Sequence, residues 1–219
     1  MNKFKTKIAI LAMSFVSFVG VQSASALEGL SIGAAMNYSG FMAMGKETKD
    51  VAGTNEITEE FGAFQADYAS VFVEYAYSDQ VSFGLERHME DITTPTNTNL
   101  KNTKTNLVKA TFKDHTTLYA NINMPFNTYF KLGFSIVDVA TQETLATGGS
   151  YPDVDTTGVT AGLGYNLNMD NGMFIRTEIS ASSYDDVSAT NATPDGNAQT
   201  VDVTDMYGAS ATIRIGKSF

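Results

Sequence analysis

From Leu30 to the C-terminus the chain alternates apolar and polar residues with a period of two, the signature of strands with one apolar face. Leu30, Ile32, Ala34, Met36 and Tyr38 oppose Ser31, Gly33, Ala35 and Asn37. Ala69, Val71, Val73, Tyr75 and Tyr77 oppose Tyr68, Ser70, Phe72 and Glu74, and Val81, Phe83 and Leu85 oppose Ser82, Gly84, Glu86 and His88. The same reading holds for segments around Leu118–Ile122, Phe130–Ile136, Val159–Leu167, Met173–Ala181 and Tyr207–Ile215, which predicts eight strands. Helical periodicity is absent after Leu27, and no apolar run reaches the ~18 residues of a membrane helix.

The connections alternate in length. Ser78-Asp79-Gln80, Met124-Pro125-Phe126-Asn127 and Asn168-Met169-Asp170-Asn171-Gly172 are short and rich in turn residues. Gly45–Gly62, Met89–Thr105, Val139–Thr157 and Asp185–Val203 read as long loops rich in Thr, Asp, Asn, Gly and Lys. An antiparallel up-and-down order puts all the tight turns at one end and all the long loops at the other.

Period two fits two media. A soluble sandwich or barrel turns its apolar face inward, whereas a membrane barrel turns it toward lipid around a polar interior. Here the polar faces carry Gly33, Ala35, Ser82, Gly84, Gly133, Ser135, Gly162, Gly164, Gly208, Ser210 and Gly216, small residues that suit a narrow, filled barrel better than a solvated strand face. The few charges on those faces are Glu74, Glu86, Glu178, Lys131, Arg176 and Arg214, three acids and three bases. Ions shut away from water must pair, because removing one partner costs about 3–5 kcal/mol. Balanced charge is what enclosure requires. Tyr75, Tyr77, Tyr165, Phe126 and Phe130 gather near the tight turns, as an interfacial aromatic girdle would. The pattern therefore predicts an all-β, eight-stranded antiparallel up-and-down transmembrane β-barrel with a lumen charge network.

Residues 1–26 are set apart. Lys3, Lys5 and Lys7 precede the apolar stretch Ile8 to Val19 and the small-x-small site Ala24-Ser25-Ala26, the layout of a secretory signal peptide. The barrel domain is expected to occupy 27–219. Lys and Arg total 14 against 24 Asp and Glu, and the leader holds three of the lysines and no acid, so the remainder is strongly acidic. That balance excludes a typical nucleic-acid binder. With no cysteine, disulfides, Cys-ligated metals and Cys nucleophiles are excluded too.

A basic leader, eight amphipathic strands, alternating short and long connections and a terminal Phe resemble the small outer-membrane β-barrels of Gram-negative bacteria, the opacity-protein, OmpX-like and OmpA-transmembrane-domain families. The resemblance implies an outer-membrane location, termini in the periplasm and long loops outside the cell. It also implies that Phe219, with Ile215 and Ile213, forms the signal read by the barrel-assembly machinery. No peptidoglycan-binding domain follows Phe219, so tethering is not expected. The expected role is a surface scaffold displaying four acidic loops to an unknown extracellular ligand. A narrow, porin-like channel is the alternative, and a lipid A-modifying enzyme a more distant one.

No catalytic residue, cofactor or metal site is expected. His88 and His115, the chain's two histidines, share the inward parity of neighbouring strands and form a candidate rim site with Glu86 or Glu90. They lie in no catalytic or metal-binding motif. Asp114, Thr116 and Thr117 flank His115 where a His-x-Ser pairing would be required.

Overall fold

The computed structural model describes residues 28–51, 54–101, 104–144, 149–191 and 199–219. The proposed signal peptide lies outside them. Eleven strands run in chain order: β1 Leu30–Val51, β2 Thr54–Ala76, β3 Val81–His88, β4 Ile92–Thr93, β5 Asn97–Lys101, β6 Lys104–Met124, β7 Thr128–Thr144, β8 Val154–Asn168, β9 Met173–Tyr184, β10 Val187–Thr190 and β11 Gln199–Ser218. Eight of them (β1, β2, β3, β6, β7, β8, β9 and β11) pair in antiparallel sequence, and β11 returns to β1 along Ser31↔Ser218 to Lys49↔Gln199, closing the ring. The ring meets the backbone's demand for partners, which lipid cannot supply.

The three tight turns fall where the sequence places them. Phe126 and Asn127 both take positive φ (64° and 58°), the conformation of hairpin turns that match strand twist. Gly172, at φ 80°, closes another. The long connections are different. Much of what reads as loop is strand: β1 and β2 stay in register to Val51↔Thr54, and β4 and β5 pair with β6, and β10 with β11, inside two of the other three spans. β7 likewise runs on to Thr144. Apolar alternation stops near Gly45 because both faces are wet there, but backbone pairing needs no apolar face.

The exterior is apolar and the interior polar. Leu118 is 60% exposed and Ile179 67%, with Val71, Phe83, Leu132, Phe134, Val159, Leu163 and Ile213 beside them in the exposed belt. By contrast Lys131 and Arg214 are each 3% exposed. A water-soluble protein cannot present that surface; a bilayer demands it. Among the described residues no helix is long and apolar enough to cross a membrane.

Two bulges re-aim the upper strands. Asp114 (φ 52°) sits where the β6–β7 register shifts between Lys113 and Thr116, and Asp205 (φ 53°) lies beside the β1–β11 shift between Met42 and Met44. Asp tolerates this left-handed geometry better than most residues. Unbroken alternation from Thr117 through His115 would aim Lys113 inward. The extra residue instead turns Phe112 in, where it stacks on Phe64 at 6.4 Å, and sets Lys113 opposite exposed Asp138.

Candidate functional site

The barrel interior is built in layers, each from alternate residues of several strands. Nearest the tight turns are four aromatic rings, and each lies on a glycine directly opposite in the neighbouring strand. The pairs are Phe72 with Gly33, Tyr119 with Gly84, Tyr129 with Gly164 and Phe174 with Gly216. A Cβ at any of these glycines would collide with the ring it faces. Tyr184 covers Gly158 in the same way higher up.

The six charges predicted to face inward are brought together, drawn from β2, β3, β7, β9 and β11, but as a pair and a quartet rather than one even belt. Arg176 grips Glu74 through two parallel bonds, Nη1 to Oε2 at 2.7 Å and Nη2 to Oε1 at 3.0 Å. Ser82, Tyr119 and Asn121 donate to the same carboxylate at 3.0, 3.2 and 2.9 Å. In the quartet, Lys131 lies 3.1 Å from Glu86 and 3.4 Å from Glu178, and Arg214 lies 2.8 and 3.2 Å from the same two. Ser70 donates to Glu86 at 2.6 Å and Tyr129 to Glu178 at 2.8 Å.

The aromatic layer links the two groups. Arg176 stands 4.3 Å from the Phe174 ring centre and 5.6 Å from Tyr129, and Lys131 stands 4.4 Å from Tyr119. Cations desolvated in this way gain from ring faces as well as carboxylates. Tyr119, Tyr129, Phe72 and Phe174 were absent from the candidates drawn from sequence. Their inward parity was visible; their partnership with glycines was not, because it depends on register.

Above the quartet lies a polar cavity of about 40 Å³, lined by hydroxyls such as Thr117, Ser135, Thr160, Ser182 and Ser210. At ~10–15 Å³ per water position it has room for a few waters. Its roof holds the histidines. His88 and His115 lie 3.9 Å apart between ring centres with their planes tilted by 46°, Tyr68 lies 4.2 Å from His88, and Tyr184 lies 6.0 Å from His115. They are not at a rim: β2 continues sixteen residues beyond Ser70, the partner of His88, and His115 is buried. The extra height comes from the strand extensions that replace the expected loops. Among the described residues no three His, Asp or Glu side chains converge to hold a metal ion. Phe41, Phe64 and Phe112 stack above the histidines.

Ile213 is 54% exposed on the outer face and Ile215 is half-buried. Phe219 is tied to the first strand, its N–H donating to Leu30 O at 2.9 Å and its carbonyl accepting from Gly29 N at 3.0 Å.

The fold is shared with the outer membrane protein OprG from Pseudomonas aeruginosa, at a TM-score of 0.55 and 13% identity over 85% of this chain and 97% of that one. It is also shared with the outer membrane protein AlkL in lipid bilayers, at 0.50 and 10% over 91% and 94%. Neisserial surface protein A aligns at 0.43 and 11% over 90% and 100%. No protein-family model and no curated protein matches the chain in sequence. The architecture is that of the small Gram-negative outer-membrane β-barrels, and with its apolar exterior it makes the chain an integral outer-membrane protein.

Proposed function

We propose that this protein is a surface scaffold: a barrel shut by its own ion pairs, holding extended strands outside the cell for adhesion or other surface contacts. One observation carries the reading. Arg214 and Lys131 each bridge Glu86 and Glu178 across the lumen, and Arg176 with Glu74 stands beside them. Five strands thus contribute to one plug filled by aromatic rings. A solute would have to break several enclosed ion pairs at once. The long-strand end faces outward in this reading, so outer-membrane lipid is the partner of the belt and an extracellular ligand that of the strand ends. The barrel-assembly machinery would meet Phe219, Ile215 and Ile213.

A narrow pore for ions or small solutes is the second reading, favoured by the polar cavity above the plug. Single-channel recording of the refolded protein in planar bilayers separates the two. The scaffold reading expects no steady unitary current, and reproducible conductance steps that track protein insertion would replace it with the pore.

A further inference from the structure

A plugged scaffold has no use for the two histidines, yet the fold sets them side by side. Ser70↔His88 is the uppermost pair of the β2–β3 ladder, and Arg87↔Thr116 that of β3 with β6. One step beyond Arg87↔Thr116, His88 and His115 stand opposite each other, with ring centres 3.9 Å apart. Residues directly opposed on neighbouring strands carry Cβ atoms about 4.5–5.5 Å apart. Two imidazoles anchored at that spacing can reach one shared point.

Their surroundings leave ring nitrogen unsatisfied. His88 Nδ1 is enclosed and has no hydrogen-bond partner among the described residues. Ser70, its partner in register, donates to Glu86 instead, and the Tyr68 hydroxyl accepts from Ser39 at 3.2 Å. An enclosed polar atom of this kind calls for water or an ion. Both rings border the polar cavity, which holds water for open coordination positions. Below it the quartet sets two acids against two bases, so it presents no net charge to repel a cation. Imidazole nitrogen suits borderline transition metals, whereas calcium and magnesium take oxygen ligands.

We propose that His88 and His115 form a two-histidine site inside the barrel for a transition-metal dication, copper(II) more tightly than zinc(II), with cavity water completing the coordination. The order of the two metals is the general one for nitrogen sites. For two nitrogens to straddle an ion at ~2.0–2.1 Å, the ring centres part to roughly 4.5–5 Å, a small turn of each side chain. The site is independent of whether the barrel conducts, so it stands or falls apart from the scaffold.

The test uses tag-free protein refolded in detergent, stripped with a chelator and then given an equimolar amount of copper(II). His88 and His115 are the chain's only histidines, so imidazole signals need no further assignment. The electron paramagnetic resonance spectrum should show splitting from two ring nitrogens, and equilibrium dialysis should give a single ion per chain. His88→Gln and His115→Gln should each weaken binding at least about tenfold and leave the splitting of one nitrogen. Zinc(II) should raise the temperature of the heat-modified gel shift in the unchanged protein and not in the double variant. A spectrum with oxygen ligands only, or equal uptake by the double variant, would overturn the site; the ion would then sit on surface carboxylates and the histidines would be packing residues. The spectrum of the unchanged protein decides the matter even where a variant fails to fold.

Discussion

Tyr129 lies flat across Gly164, its direct partner on β8, and from that position donates a 2.8 Å hydrogen bond to Glu178. The glycine is there for space rather than for backbone freedom. With a side chain at 164 the ring would have to leave, and the carboxylate that Lys131 and Arg214 share would lose a donor. Sequence, packing and electrostatics meet in this one pair.

Gly164→Ala should therefore destabilise the barrel more than Tyr129→Phe. The latter removes one hydrogen bond to a charged group, about 1.5–3 kcal/mol. The former forces the whole ring out of place. In urea unfolding from lipid vesicles, the double variant Gly164→Ala/Tyr129→Ala should lose less than the sum of its single changes. Strict additivity would mean that ring and glycine do not depend on each other.

Enclosure of charge makes a second prediction. Arg214→Leu leaves two buried carboxylates, Glu86 and Glu178, to share Lys131 as their one cation and should cost about 3–5 kcal/mol. Arg87→Leu breaks the ion pair with Asp114 on the outer surface, where both side chains are more than half exposed, and should cost about 0–1 kcal/mol. Matching unfolding midpoints for the two variants would contradict a sealed interior.

A third prediction separates assembly from stability. Phe219 makes two backbone bonds to the first strand at the very end of the closing seam. Deleting it should sharply reduce the heat-modifiable, folded fraction in cells, yet have little effect on spontaneous refolding of the purified chain in detergent. Parallel losses in both assays would make Phe219 a structural residue and not an assembly signal.

How far these features could be read from sequence differs from residue to residue. The inward parity of Glu74, Glu86, Lys131, Arg176, Glu178 and Arg214 was legible because a period of two survives wherever one face meets lipid. Their division into Arg176 with Glu74 and a separate quartet was not, since depth depends on the stagger between strands. The Tyr129–Gly164 and Tyr119–Gly84 contacts were hidden for the same reason. Above Gly45 the code itself fails: strand residues wet on both faces carry no alternation, so the upper parts of β1 and β2 looked like loop. The histidines were consequently placed at a rim when they lie inside. The Asp114 bulge, which exchanges Lys113 for Phe112 in the interior, leaves no mark that residue type alone would reveal.

The 22 residues of β1 have a reach consequence of their own. About ten residues carry a tilted strand through hydrocarbon, and the remainder rise ~3.3 Å apiece along a slanted path. The far end of β1, at Val51, then stands roughly 25–30 Å clear of the acyl chains for a tilt near 45°. The β1–β2 ribbon is thus a mast, and a bulky molecule could touch its summit without ever crowding down to the bilayer.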